Sequence, residues 1–397
     1  MEAGRSKLIV VGCGGVGLAL LEQIALLEKQ DKHSVAVVAV IDSKHALCSG
    51  IPEGRQLTAD TLYEIISCKR QGKDLGSVKR VDRGEFNFHE NGAEMLKTLV
   101  NSCEEFRHSR LIFADCTASD STAAVLLEAV QNGAGIALAN KKPITGPYDV
   151  YTALTQQGKS FRAESTCGAG MPLIATVTRL VRSGDKISKM AGALSGTLGY
   201  VMSGLEDGKA FSQVVREAKA AGYTEPDPRD DLSGTDVARK ALILARLQGW
   251  RLELADVTVE SLFPTEMGPD SMPLNNFMNE GLLALDAPIA KRVEEAAASD
   301  GALRYAATVQ DGKCTVGLVV VPKQSALGQL RGTDNLLEVC SGCYNPNPLV
   351  LQGRGAGTET TASGILADIL ELDDCLPPVP EPEPEPACDN CFYGFVL

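Results

Sequence analysis

This chain of 397 residues has no apolar run long enough to cross a bilayer, and it has no surplus of positive charge. Lys and Arg total 38 against 51 Asp and Glu, a formal net charge of -13. The first shortfall argues against a membrane protein, and the second argues against a nucleic-acid surface, which needs clustered cations to meet phosphates. Little chain precedes the first apolar strand after Met1, so no signal or transit peptide is expected and a cytosolic, cytoplasmic setting is. Hydrophobic residues at 44% and charged ones at 22% suit a globular enzyme long enough for two domains. The 12 cysteines are scattered through expected strands and helices, which suggests reduced thiols rather than a disulfide framework. Two C-x-x-C pairs, Cys340/Cys343 and Cys388/Cys391, lie too far apart for a compact zinc ribbon, and a zinc-holding role ranks last.

The N-terminal third reads as a doubly wound α/β fold. Residues 7–11 form an apolar run, the turn Gly12-Cys13-Gly14-Gly15-Val16-Gly17 follows, residues 18–27 continue as a helix, and residues 34–41 form a second buried strand. That order gives a G-x-G-x-x-G match its physical meaning. Gly12 permits the tight turn, Gly14 lets a pyrophosphate approach the backbone, and Gly17 lets helix and strand pack closely, while the helix N-terminus favours negative charge. Asp42 ends the second strand, where a carboxylate accepts from ribose hydroxyls and favours NAD. Ser43 and Lys44 beside it could instead receive the 2′-phosphate of NADP, so the choice stays open. Residues 111–116 and 135–139 are further buried strands, closed by Thr117 and by Asn140-Lys141-Lys142-Pro143.

A second, mixed α/β region follows. Residues 188–194 read as a strand, 198–205 and 211–221 as helices, and 302–309 with 313–321 as a hairpin turned at Asp311-Gly312. Residues 348–351 read as a strand, after which Gly353 to Gly357 opens a helix to about Leu370. From Cys375 onward alternating Pro and Glu favour an extended, hydrated segment, ending in the apolar run 392–397.

The densest chemistry lies between Gly222 and Lys240, where Glu225, Asp227, Asp230, Asp231 and Asp236 crowd together. Pro226 and Pro228 are expected to bar a regular helix through the acidic part. Ser233 or Gly234 then caps a helix over residues 236–248, on which Asp236 and Lys240 share one face. The run Ala218, Gly222-Tyr223, Pro228, Asp231-Leu232, Gly234, Asp236 and Lys240 resembles the signature of homoserine dehydrogenases with every spacing kept, and the resemblance extends over most of residues 6–371.

The resemblance implies a Rossmann-type NAD(P)-binding domain over residues 1–162, completed by 352–372. It also implies a substrate-binding, catalytic and dimerisation domain over 163–351, leaving 373–397 as a tail. It implies interconversion of L-homoserine and L-aspartate 4-semialdehyde with NADP or NAD, within threonine, methionine and isoleucine biosynthesis, by a homodimer or homotetramer. Lys240 then resembles the proton donor and acceptor, Asp236 its partner, and Lys141 the second lysine of the pocket. Glu225 and Asp231 resemble the carboxylates that hold the substrate amino group, and Thr117, Gly355 and Gly357 join Gly12 to Gly17 on the cofactor side. Glu164 and the carbonyls of Cys167, Ala169 and Met171 resemble a sodium site, oxygen ligands being suited to a hard cation. A free lysine titrates near 10.4, so a useful base is expected to be pulled down by burial or by a second cation. The chain is expected to be monofunctional: no aspartate kinase fits ahead of the first strand, and the stretch after Leu372 is shorter than the roughly 70–80 residues of a small regulatory domain.

Overall fold

The structure is a computed structural model, and it describes residues 5–30, 32, 35–49, 56–78, 86–102 and 110–376. Cys388, Cys391 and the expected tail beyond Leu376 lie outside the described residues, as does Ser34 at the expected start of the second strand.

Among the described residues, thirteen strands form two sheets. The first contains β1 (Ser6–Val11), β2 (Val35–Ile41), β3 (Ala46–Ser49), β4 (Phe86–His89), β5 (Leu111–Asp115), β6 (Gly135–Leu138) and β7 (Phe161–Arg162), in the order β4-β3-β2-β1-β5-β6-β7. From β2 to β7 all pairs are parallel, while β3 and β4 run antiparallel at one edge. The parallel strands are apolar on both faces because helices cover both. On one side lie α1 (Gly15–Lys29) and α2 (Ala59–Arg70); on the other lie α3 (Gly92–Asn101), α4 (Thr122–Gln131), α5 (Lys142–Thr145) and α6 (Tyr148–Thr155).

The second sheet has the order β13-β12-β8-β10-β11-β9, from β8 (Ile187–Ala193), β9 (Thr258–Val259), β10 (Gly301–Gln310), β11 (Lys313–Pro322), β12 (Asn335–Ser341) and β13 (Leu349–Gly353). The β10–β11 hairpin turns where expected, because Asp311 and Gly312 both take positive φ (51° and 75°), the twist a two-residue hairpin loop needs. Between and around these strands run α7 (Leu173–Arg182), α8 (Gly196–Glu206), α9 (Phe211–Ala220), α10 (Pro228–Leu232), α11 (Thr235–Leu247), α12 (Leu274–Asn276), α13 (Leu282–Ala298) and α14 (Ala326–Gln329). Helices α8, α9, α11 and α13 bury one face of this sheet. Among the described residues no helix is long and apolar enough to cross a membrane.

Two features depart from the sequence reading. The acidic run does contain a helix, α10, because Pro228 sits at its first position, where the missing N–H has no intrahelical role. Asp227 caps it by accepting the Arg229 N–H at 3.0 Å. The last helix, α15 (Thr358–Cys375), runs five residues past the expected end at Leu370. It crosses back to the first sheet, where Ile365, Ile369 and Leu372 join the buried cluster of Leu8, Leu20 and Leu21. Asp373 fixes its far end through Arg110 at 2.8 Å.

One buried cation ties the second region to the first. Arg246 on α11 donates to the carbonyls of Ile144 (2.8 Å), Gly146 (2.9 Å) and Leu252 (2.9 Å), and pairs with Glu253 at 3.0 Å. Helix α11 thus belongs to both cores, with Ala241 and Leu242 in one and Ile243 in the other.

The glycine turn is the tightest point of the first sheet. A Cβ on Gly17 would stand 1.9 Å from the Gly12 carbonyl oxygen, so even alanine must push α1 off β1. Gly17→Ala is expected to cost about 1–3 kcal/mol and to weaken nucleotide binding. Denaturant unfolding and reduced-nicotinamide fluorescence would check both.

Candidate active site

A cavity of about 600 Å³ opens where the carboxyl ends of β1 and β5 meet the second region. This is the switch point at which doubly wound sheets hold ligands. It is walled by the glycine turn, the Thr117 loop, the segment 165–169, the N-termini of α8 and α11, and the Gly355–Gly357 loop.

Gly12 turns at φ 100°, and a Cβ there would lie 2.9 Å from the Thr117 side chain. Gly14, the N-cap of α1, has no side-chain cap and faces open space, so the first-turn N–H groups are free for an anion. Val16 lines the cavity. A Cβ on Gly15 would meet Thr358 at 2.6 Å, which places the start of α15, behind Gly355 and Gly357, beside the start of α1.

Asp42 does end β2, but its carboxylate is already engaged. One oxygen accepts the N–H groups of Lys44 (2.9 Å) and His45 (2.7 Å), and the other accepts Lys69 at 2.7 Å. Burial alone would raise its pKa, yet Lys69 and these N–H groups hold the carboxyl below its usual range. Lys69 escaped the sequence reading because it comes from α2, 27 residues on, with no local pattern to link it to Asp42. Asp115 has no such signal either, and Asn140 shows in the sequence only as part of the run that closes its strand. Asp115, fully buried, accepts the Thr117 N–H (2.9 Å), the Thr122 hydroxyl (2.7 Å) and Asn140 (3.0 Å). Asn140 also donates to the Ser119 carbonyl at 2.8 Å, so the pair sets the Thr117 loop and the departure point of Lys141. Only the Asn-Lys-Lys-Pro run at the end of β6 hinted at this.

At the centre, Asp236 stands between two lysines, 2.9 Å from Lys240 and 3.2 Å from Lys141. Lys240 is buried and donates to the Leu194 carbonyl at 2.6 Å. The α11 start that presents this pair is capped by Gly234 at φ 75°, where a Cβ would meet the Tyr305 hydroxyl at 2.0 Å. Burial works against charge on Asp236, but the two ammonium groups outweigh it and hold the carboxyl far below its usual range. Burial likewise pushes Lys240 down, and the Asp236 charge more than offsets this, so its pKa is raised. The expectation of a lowered lysine therefore fails for this state, because the second cation acts on the shared carboxylate instead of on Lys240 alone.

Of the acidic run, Asp231 and Glu225 face the cavity together. Asp231 accepts the Glu225 N–H at 2.8 Å and lies 3.0 Å from the Thr197 hydroxyl, and burial raises its pKa. Asp230 also lines the cavity. Asp227 serves the fold by clasping Arg229, whose guanidinium reaches the Met267 and Met272 carbonyls.

Glu164 lies on the far side of the segment 165–169. Its carboxylate caps α7, accepting the N–H groups of Ile174 (2.6 Å) and Ala175 (2.7 Å). Burial pushes its carboxyl up to about 7 in spite of those bonds, and burial pushes Asp368 on α15 up to about 8. Gly168 and Ala169 take positive φ (88° and 56°). The Met171 carbonyl accepts the Leu173 N–H at 2.8 Å, whereas the buried Cys167 and Ala169 carbonyls accept no hydrogen bond among the described residues. Carbonyl oxygens that accept no hydrogen bond are of the ligand type a hard monovalent cation takes. Among the described residues no group of three or more His, Cys, Asp or Glu is placed to hold a metal ion, Cys340 and Cys343 included.

Sheet order and glycine turn define the class, a doubly wound α/β fold of the dinucleotide-binding type. The homoserine dehydrogenase family model matches residues 172–370. The homoserine dehydrogenase of Emericella nidulans is 33% identical over 384 residues, covering 91% of this chain and 97% of that protein. The chloroplastic bifunctional aspartokinase/homoserine dehydrogenase 2 of Arabidopsis thaliana is 36% identical, but the match covers only 38% of its length, so this chain spans well under half of such relatives. Among solved structures, a Candida auris protein of unknown function shares a TM-score of 0.80 at 30% identity, covering 94% of this chain and 99% of that one. A hyperthermophilic archaeal homoserine dehydrogenase in complex with NADPH shares the fold at a TM-score of 0.69 and 20% identity, covering 95% and 100% of the two chains. The chain belongs to the homoserine dehydrogenase family.

Because Asp236 holds the Lys240 pKa up, Asp236→Asn is expected to move the Lys240 titration to lower pH. Nuclear magnetic resonance of reductively methylated lysines would follow it, and an unmoved midpoint would break the proposed coupling.

Proposed function

We propose that this chain interconverts L-homoserine and L-aspartate 4-semialdehyde with NADP or NAD, feeding threonine, methionine and isoleucine biosynthesis. The observation that carries the reading is the Lys141–Asp236–Lys240 cluster, set beside an acidic cradle and within reach of the glycine turn.

The nucleotide-binding role falls to residues 1–162 with 352–372, and the substrate role to 163–351. The cofactor diphosphate would lie on Gly12, Gly14, Gly15, Val16 and Gly17 and against Gly355 and Gly357, with Thr117 toward the nicotinamide. Asp42 would meet the ribose, and Lys69 beside it supplies the cation that a 2′-phosphate needs, which supports NADP as well as NAD. When bound, the cofactor supplies the hydride chemistry. The substrate ammonium suits Glu225 and Asp231, since an amino-acid cation in a half-dry pocket asks for acidic acceptors. Lys141 and Asp236 then position the hydroxyl end.

Lys240 handles the proton. In reduction, its ammonium, kept charged by Asp236, protonates the oxygen of the aldehyde as the carbon receives hydride. In oxidation, the same nitrogen must take the hydroxyl proton, so it must first be neutral. Oxidation is therefore expected to speed up as pH rises, and reduction to slow down.

Glu164 with the carbonyls of Cys167, Ala169 and Met171 would hold sodium, a structural role at the crossover between the two regions. Assembly into a homodimer or homotetramer through the second sheet is supported by Val320 and Val350, exposed on β11 and β13.

The test is absorbance at the reduced-nicotinamide band with L-homoserine and each cofactor in parallel, using L-serine and L-threonine as controls. Lys240→Ala is expected to lower kcat by about a hundredfold or more while leaving the Kd for NADPH unchanged. Near-normal turnover in that variant would remove Lys240 from its role.

A further inference from the structure

The acidic run between Gly222 and Lys240 carries five carboxylates, and cations take two of them. Asp236 lies between Lys141 and Lys240, and Asp227 is clasped by Arg229. Glu225, Asp230 and Asp231 have no ion pair among the described residues, and all three line the reaction cavity. The cradle assigned to the substrate ammonium is what remains once Arg229 has neutralised a carboxylate two residues from Glu225.

Little else holds that cradle in place. Residues 224–226 make no backbone–backbone hydrogen bond among the described residues, and Pro226 and Pro228 have no N–H to give. The Glu225 N–H goes to one Asp231 oxygen at 2.8 Å and the Thr197 hydroxyl reaches the other at 3.0 Å, so Glu225 follows Asp231. Asp231 in turn sits on α10, a helix of five residues, too short to stand on its own hydrogen bonds. It must be anchored by packing. Leu232 supplies part of the anchor: it is buried, and its carbonyl accepts the Leu262 N–H at 3.0 Å.

Arg229 supplies the rest. It is 3% exposed, rare for a guanidinium. Its Nε lies 3.0 and 3.1 Å from the two Asp227 oxygens, and its Nη2 lies 2.6 Å from one of them. On the other side its Nη1 donates to the Met272 carbonyl at 2.6 Å and to the Met267 carbonyl at 3.1 Å. The guanidinium carbon stands 5.2 Å from the centre of the Phe277 ring, which is fully buried in the core of the second region. One side chain thus binds the start of α10 both to its own cap and to residues 267–277. Neither Arg229 nor Asp227 lines the reaction cavity, so neither is placed to touch a substrate there.

We infer that Arg229 is a positioning residue for substrate recognition, which sets the ammonium site by holding Glu225 and Asp231 in place and by keeping Asp227 out of competition for the cation. This rests on the homoserine dehydrogenase reading. Loss of the guanidinium frees the Asp227 carboxylate, strips the Met267 and Met272 carbonyls of a donor, and lets α10 shift with its acidic groups. The proton and hydride steps run through Lys141, Asp236 and Lys240, and their helix α11 is held separately by Arg246 and by two cores. The loss therefore falls on binding and spares the chemistry.

Steady-state kinetics on the full chain, below the unfolding midpoint of each variant, separate the two. Arg229→Ala is expected to raise KM at least about tenfold for both L-homoserine and L-aspartate 4-semialdehyde, since both carry the ammonium. kcat should stay within about threefold, with the Kd for NADPH unchanged. Arg229→Lys keeps the charge without the fork and should recover part of the lost KM. An unmoved KM in Arg229→Ala overturns the inference; where that variant does not fold, an unmoved KM in Arg229→Lys does so. A fall in kcat or in NADPH affinity that matches the rise in KM overturns it too, as does a lysine variant no better than alanine. Failure of the unaltered chain to oxidise L-homoserine sinks the dehydrogenase reading and this inference with it. Turnover by the unaltered chain, with KM unmoved in the variants, sinks this inference alone.

Discussion

One carboxylate sets the terms for the reaction site. Asp236 is shared by Lys141, from the end of the first sheet, and Lys240, from its own helix. Two ammonium groups side by side in a cavity would repel one another and favour loss of a proton; the carboxylate between them reverses that balance. The cluster keeps one net positive charge and joins chain segments almost a hundred residues apart. The position of Lys141 in turn depends on Asn140 and Asp115, and that of Lys240 on a helix start that only glycine can make. The chemistry is thus anchored to both sheets at once.

The same helix is held again at its other end, where the Arg246 guanidinium gathers the carbonyls that follow α5. Helix α11 therefore has a charged tether near each terminus, both reaching the first region, with apolar faces in two cores between them. The crossover at 163–175 runs alongside, kept by the Glu164 cap on α7 and the Asp368 contact from α15. Burial outweighs the N–H groups at Glu164 and, at Asp368, the Glu164 N–H and the Arg162 charge, leaving both of those carboxyls high in pKa, in contrast to Asp236, whose cations win.

What the sequence made legible was local. The glycine turn, the hairpin at Asp311-Gly312 and the Asp236/Lys240 face each rest on spacings within a few residues, and the structure keeps all three. Pro228 was read as a helix breaker, although the first helical position is where proline fits best, and α10 begins there. Long-range pairings left no trace: Lys69 on Asp42, Asp115 under Asn140, and Arg229 under the Met267 and Met272 carbonyls. The raised pKa of Lys240 was also out of reach, since it depends on which of three charges lies in the middle.

Helix α15 has a consequence for how the protein is made. The first sheet begins at Ser6, yet its core is closed by Ile365, Ile369 and Leu372, and its first strand is bonded to Asp373. During synthesis from the N-terminus, those residues emerge only after the whole second region has been translated. Until then the nascent first region carries an uncovered apolar face beside α1. The first region is therefore made well before the residues that finish it, and that face is where a chaperone would find its grip.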